Sequence, residues 1–256
     1  MVSAFASQPR CCAVALLLSS PPGLAPTCSA CFQPRTDQQA LVRDGQSALV
    51  SRRKNSIVLI RPAAREFRTG GRPVFVVGIN NLSKGSLEFR VSDIQATQLI
   101  NGELAQLKVI TYDELVQEER NHQIASALLV GLAAGANAAA AAQAGYYHST
   151  STVVGSRGVA TVNTTGYSPT AAAIAQSNAA AQNDAMISAT IEQGQANLAT
   201  LERSVIKDNT LLPGEWYGGQ LHLQPLAQSG EAKSYKIVLM IGADRHEIEV
   251  EQASAR

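Results

Sequence analysis

The sequence predicts an α+β protein in which an antiparallel β-sandwich is interrupted by a long antiparallel helical hairpin. Short apolar segments with strand periodicity lie on both sides of an alanine-rich middle region, and turn residues separate them. Neither flank has enough strands for two covered sheets, so we prefer one body formed by both flanks to two small domains. We expect this body at residues 47–111 and 208–256, with the helical insertion at residues 112–207.

The strand signals are clearest where apolar and charged side chains alternate, as in residues 87–91 and 247–251. Asn101-Gly102 between two apolar stretches predicts a hairpin, and Gly242-Ala243-Asp244 predicts another turn. The order of strands and turns resembles that of the immunoglobulin-like domains of bacterial envelope proteins, without a cysteine pair. This resemblance implies an immunoglobulin-like sandwich and no particular function.

Two long helices are indicated by their end signals. Thr111 and Glu114 form a capping box, and the first helix stops near Gly145. Ser168-Pro169 starts the second helix, which continues to about Lys207. At about 1.5 Å per residue the helices are roughly 50–60 Å long, so we expect the hairpin to project from the body.

The packing of this hairpin is predicted from residues spaced by three and four. Near the base we expect an aliphatic seam. Further out, Gly131, Gly135 and Ala139 of the first helix and Ala171–Ala181 of the second predict close approach of the helix backbones. Between Gln123 and Asn183 the only formal charge is Arg157. The expected seam residues are Leu115, Ile124 and Leu128 of the first helix and Ile187, Ile191, Gly194, Leu198, Leu201 and Val205 of the second.

The tip of the arm, residues 146–168, is either a small β-hairpin or a Ser/Thr/Gly loop. Tyr146, Tyr147 and Tyr167 lie at its neck, and Arg157 lies in its turn. Tyrosines with few charges around them are typical of contact surfaces, so we expect an interaction site here.

All four cysteines, Cys11, Cys12, Cys28 and Cys31, occur near the start of the chain. Their position excludes a disulfide framework or cysteine metal site in the body. Arg10, an apolar run over residues 11–20, helix breakers and small residues follow the order of a secretory signal, predicted at residues 1–30.

Cys28-Ser29-Ala30-Cys31 resembles the lipobox of bacterial lipoproteins, with Cys28 where that family usually has Leu. The resemblance implies acylation of Cys31 and an anchor in the envelope. Phe32 after the cysteine favours the outer membrane, facing the periplasm. A polar tether over residues 31–46 would then lead to the body. Cleavage near Ala30 without lipid, and no processing, are the alternatives.

Candidate chemistry is sparse. The net charge of +1 gives no reason to expect nucleic acid, and no phosphate-binding loop or nucleophile elbow occurs. Asp244, His246 and Glu247 resemble metal ligands, but a strand would place His246 and Glu247 on opposite faces, so we expect a turn instead. We therefore predict a non-enzymatic protein with no cofactor, no metal and no small-molecule substrate.

Arg52, Arg53 and Lys54 begin a basic region. These residues could attract anionic headgroups or envelope polymer, or they could protect strand edges from pairing, which is the reading we prefer.

These observations predict a cell-envelope lipoprotein with an interaction or structural role. The helical arm would dock on another envelope protein or on copies of itself. The alternative is a membrane-active or pore-forming component that inserts the arm, although the polar residues Gln176, Asn178 and Asp184 are expensive in lipid. An enzyme with an unrecognised site is the third reading.

Overall fold

The computed structural model describes residues 30–43, 46–64, 71–100, 103–156, 158–224 and 234–252. It divides the chain into two compact units. One comprises Met1–Tyr112 and Arg203–Arg256, and the other comprises Asp113–Glu202. Most of the expected signal sequence, the Asn101-Gly102 turn and Arg157 lie outside the described residues.

The first unit is built from antiparallel strands and one short 3-10 helix, Val91–Asp93. Its strands are β1 (Ala30–Phe32), β2 (Gln38–Arg43), β3 (Gln46–Arg52), β4 (Ser56–Pro62), β5 (Val74–Asn81), β6 (Leu87–Phe89), β7 (Ile94–Ile100), β8 (Glu103–Leu107) and β9 (Val109–Ile110), followed after the helices by β12 (Asn209–Leu211), β13 (Trp216–Leu223), β14 (Ser234–Ile241) and β15 (Asp244–Gln252).

Both large sheets combine strands from before and after the helices. The six-stranded sheet has the order β2-β3-β4-β5-β13-β9, and the five-stranded sheet has the order β1-β15-β14-β7-β8. Strands β6 and β12 form a separate pair. The predicted hairpins β7–β8 and β14–β15 are confirmed, and Gly242 takes a φ of 57° in the second turn. A single body assembled from both flanks is therefore what the strand pairing shows.

The inward faces of the two sheets share one apolar core. Along β4, Ser56, Val58 and Ile60 are buried while the residues between them are partly exposed, which is the alternation expected of a half-buried strand. Phe75 of the six-stranded sheet meets Tyr235 of the five-stranded sheet edge to face, with ring centroids 6.0 Å apart. Antiparallel sheets packed on a common aliphatic core are thus confirmed.

The expected polar tether at residues 31–46 is wrong. Strand β1 pairs with β15 and places Cys31 opposite Glu251, while β2 pairs with β3 along its whole length. The error arises because β2 is an edge strand whose side chains are mostly exposed, and Val42 is 70% exposed. The polar residues of this segment therefore belong to an edge strand. Because most side chains of that strand are exposed, its composition resembles that of a linker outside the fold.

The second unit contains the predicted helical hairpin. Helix α1 spans Tyr112–Gln143 and helix α2 spans Pro169–Ser204. Between them, β10 (Tyr146–Gly155) and β11 (Gly158–Tyr167) pair in register from Tyr146↔Tyr167 to Gly155↔Gly158. The tip is therefore a β-hairpin, the first of the two alternatives that the sequence allowed.

Candidate interaction surface

The two helices meet mainly through small and polar side chains. Between Glu119 and the end of α1, the less exposed residues recur at spacings of three and four, as they do along α2. In α1 these residues are Glu119, Gln123, Ser126, Val130, Ala134, Asn137 and Ala141; in α2 they are Ala172, Ala175, Ala179, Asn183, Met186, Thr190, Gly194, Asn197, Leu198 and Leu201.

Hydrogen bonds from side-chain amides connect the two helices. Gln123 donates from Nε2 to the carbonyl oxygen of Gly194 at 3.1 Å, and a Cβ on Gly194 would lie 2.8 Å from Gln123 Cδ. Asn183 accepts a hydrogen bond from Asn137 at 3.0 Å and donates to the carbonyl oxygen of Ala134 at 3.2 Å. These hydrogen bonds reach backbone carbonyl oxygens of the partner helix, so they form only where the two helix backbones lie close together.

The predicted aliphatic seam is wrong for four of its eight large residues, whereas Leu115 and Val205 are buried and Leu198 and Leu201 are partly buried. Ile124 and Leu128 are 62% and 66% exposed, and Ile187 and Ile191 are also exposed. Bulky side chains between the helices would hold the axes too far apart for the amide hydrogen bonds to backbone carbonyls. These four aliphatic side chains therefore face away from the partner helix.

The predicted close-packing residues of α1 also face outward. No atom lies within 4 Å of a Cβ built on Gly131 or Gly135, and Ala139 is exposed. Small residues do pack at the far ends of the helices: Ala141 of α1, and Ala172 and Ala179 within the expected stretch Ala171–Ala181 of α2. We call the exposed stripe of Ile124, Leu128, Leu132, Gly131, Gly135 and Ala139 the outer face of α1.

An open polar groove of about 270 Å³ lies between the two helices nearer their bases. It is lined by Glu119, His122, Gln193 and other polar or small residues. Gln123 and Asn197 both donate to Glu119 Oε1, at 3.2 and 3.0 Å. The carboxylate is therefore already engaged within the seam.

The tyrosines of the tip gather at its neck. Tyr146 and Tyr167 face each other across the two strands with ring centroids 5.0 Å apart. Gly145 and Gly166 leave room for these rings, since a Cβ on Gly145 would overlap Tyr167 and one on Gly166 would overlap Tyr147. All three rings stay about half or more exposed, so the neck is an accessible aromatic surface.

The basic residues near β3 are spread over different environments. Arg53 forms an ion pair with Asp37 at 2.7 Å and donates to the carbonyl oxygen of Arg245 at 3.1 Å. Arg52 and Lys54 are exposed. At least one of the three cations is thus engaged within the fold.

One buried polar cluster resembles a nucleophile–base pair. His246 on β15 lies 2.8 Å by Nε2 from Ser56 Oγ and 3.0 Å by Nδ1 from Ser51 Oγ, and Ser56 donates to Asp244 at 2.8 Å. Burial lowers the pKa of His246 to about 4. Ser51, Ser56 and His246 have no exposed surface, so the cluster links the two sheets and offers no access to a substrate.

The sequence located Asp244 and His246 but missed both serines, because they come from other strands. As expected of a strand, Glu247 points away from His246 and pairs with Arg35 at 2.8 Å and with Lys236. Within the described part of the chain, no three His, Cys, Asp or Glu residues converge in a metal-binding arrangement.

Comparison with known proteins finds no match to this chain among family models, curated sequences or solved structures.

Proposed function

We propose that the chain is a non-enzymatic cell-envelope protein that self-associates through the outer face of α1. One observation carries this proposal: α1 directs mainly polar and small side chains toward α2 and presents Ile124, Leu128 and Leu132 to solvent. Ile124, Leu128 and Leu132 follow one another at spacings of four, and Leu132 is 72% exposed. A contiguous apolar stripe on a helix typically marks an interaction surface.

A second copy of the same helix fits this face well. In a two-fold pair the same patch meets itself, so aliphatic side chains cover aliphatic side chains. Gly131 and Gly135 are open to solvent, so a partner backbone could approach closely. Burying one leucine side chain contributes about 1.5–3 kcal/mol, whereas association loses roughly 4–15 kcal/mol of translational and rotational freedom, so several aliphatic side chains of each copy have to be covered.

Membrane insertion of the arm is the second candidate function. Helix α1 is long and apolar enough to cross a bilayer, with a mean hydropathy of 1.7 over its most apolar window. Helix α2 opposes insertion, since Gln176, Asn178 and Asp184 are exposed on it and are costly in hydrocarbon. We therefore favour self-association in water.

The envelope location belongs to the same proposal and is supported by residues 1–31. Acylation of Cys31 and an outer-membrane anchor facing the periplasm remain expectations from the lipobox resemblance. The immunoglobulin-like class also remains an expectation: the two antiparallel sheets support it, whereas the meander β2-β3-β4-β5 departs from Greek-key order.

Self-association is tested by measuring particle mass in solution. The wild-type chain should form dimers or larger particles at micromolar concentration. Leu128→Gln/Leu132→Gln should be monomeric there with unchanged helicity. Ser177→Gln/Ser188→Gln, on exposed positions of α2, is the matched control and should assemble as wild type does. A wild-type chain that stays monomeric at every concentration contradicts the proposal, and binding to vesicles instead favours insertion.

The anchor is tested by fractionating cells that make wild type or Cys31→Ser. If Cys31 is acylated, the wild-type chain is recovered with membranes and the variant is soluble. Membrane association of the variant that survives carbonate washing, but is lost in Leu128→Gln/Leu132→Gln, would instead assign the attachment to the arm.

A further inference from the structure

Strands β10 and β11, which we call the tip ribbon, pair only with each other within the described part of the chain. Each strand is ten residues long. The outer edge of each strand therefore carries a row of backbone N–H and C=O groups directed away from its partner. Apart from Gly166, every described residue of the ribbon is exposed.

The edges of the tip ribbon lack the usual protection against pairing. Proteins block free edges with lysine, proline, inward charges or bulges. Residues 146–167 contain no Lys, Pro, Asp or Glu, and Arg157 in the turn is their only formal charge. Their register runs without a bulge from Tyr146↔Tyr167 to Gly155↔Gly158. Both edges are thus left open for another strand along their whole length.

A further strand would stabilise the ribbon. A two-stranded ribbon in water is marginally stable at best, and neither edge of this one is paired. Its threonine, valine and tyrosine residues favour extended structure strongly. Added strands would supply the missing hydrogen bonds and cross-strand contacts.

A second copy of this chain is the partner that the edges fit. Uncharged edges from two copies meet without like-charge repulsion, which would oppose self-pairing of a charged edge. If β11 of one copy lies beside β10 of the next, the alternation of strand directions simply continues. The contact uses two different edges, so it can be repeated from copy to copy and can close into a ring.

We infer that the tip ribbons of several copies join edge to edge, β11 against the neighbour's β10, into one intermolecular antiparallel sheet. This inference goes beyond the proposed self-association through α1, because it uses a separate surface of the arm.

The test follows amide hydrogen exchange of residues 146–167, together with particle mass, over a range of concentrations of the full-length chain. In wild type we expect exchange to slow at least tenfold as larger particles form. Thr150→Lys/Thr164→Lys should abolish this slowing. These two lysines are not cross-strand partners and lie on opposite faces of the ribbon, so they do not repel each other within one copy.

Thr150→Val/Thr164→Val is the matched control, because it keeps both edges uncharged and retains β-branched side chains. It should slow exchange as wild type does. Leu128→Gln/Leu132→Gln separates the two surfaces. If it still assembles with slow ribbon exchange, the α1 proposal fails and the ribbon inference stands.

Other outcomes overturn the inference. If wild type forms larger particles but the amides of the ribbon exchange as fast as in the monomer, the ribbon inference is wrong and the α1 proposal stands. A chain that is monomeric throughout removes both. Slow exchange that requires phosphatidylglycerol vesicles shows that the ribbon is covered by lipid and not by its copies.

Discussion

His246 and Ser56 are hydrogen-bonded across the core, with 2.8 Å between Nε2 and Oγ and no exposed surface on either side chain. The contact joins β15 of one sheet to β4 of the other. Because burial lowers the pKa of His246 to about 4, the imidazole is neutral in the folded protein at physiological pH. This neutral histidine makes the stability of the body depend on pH.

The stability of the body should fall as the pH falls from 6.5 to 4. In this range the unfolded chain binds a proton at His246, whose ordinary pKa is 6.5, and the folded chain does not. The free energy of unfolding should be about 2 kcal/mol lower at pH 5 than at pH 7 from this group alone. Urea unfolding at the two pH values measures the difference, and His246→Leu should reduce it although the variant is less stable throughout.

A second loss should follow at lower pH from Glu247. Hydrogen bonds from Lys236 and Arg35 lower its pKa to about 2, from an ordinary value of 4.5. Its contribution to stability is present above pH 4.5 and is lost as the pH falls toward 2. In Glu247→Gln the free energy of unfolding should change less between pH 4.5 and pH 2. The fall between pH 6.5 and pH 4, which comes from His246, should stay as in wild type. An identical profile in the variant would contradict this assignment.

Gly194 and Gly131 should respond oppositely to alanine. Gly194→Ala brings a Cβ to 2.8 Å from Gln123 Cδ and should destabilise the arm by about 1–3 kcal/mol, despite alanine's better helix propensity. Gly131→Ala meets no atom within 4 Å and should stabilise the monomeric arm by up to about 1 kcal/mol. Denaturation followed by the helical circular dichroism signal, at a concentration where both variants are monomeric, compares them. Equal effects would contradict the packing of the seam.

Asn137 and Asn183 should behave as a coupled pair. Asn183→Ala removes its hydrogen bonds to Asn137 and to the carbonyl oxygen of Ala134, and should cost about 1–2 kcal/mol. The double variant with Asn137→Ala should cost less than the sum of the single variants, because one lost contact is shared. Additive losses in a double-mutant cycle would show that the two amides do not interact.

The sequence predicted where the helices and strands lie better than it predicted which of their faces are buried. Helix ends and hairpin turns depend on local signals such as Ser168-Pro169 and Gly242, and these were interpreted correctly. The packing face of α1 was not, because aliphatic residues at helical spacing looked like a core. The structure places Gln123, Asn137 and Asn183 inside instead. Which stripe faces inward depends on the partner helix, and that information is not local.

The same limit explains the missed polar cluster. Ser51, Ser56 and His246 belong to three strands, and their convergence depends on the packing of one sheet on the other. Nothing beside Ser51 or Ser56 in the sequence distinguishes them from serines on a solvated strand. The exposed tyrosines of the tip were found, because the uncharged region around them is visible along the chain.

The order of strands constrains how the protein is made. Strand β13 lies between β5 and β9, and β14 and β15 fill the gap between β7 and β1. A nascent chain that has emerged only as far as α2 therefore lacks β13, β14 and β15. At that stage β1 and β9 have no partner strand, although both helices of the arm have been made. The helices are thus made before the body can close, because residues 216–252 complete both sheets with strands translated before the arm.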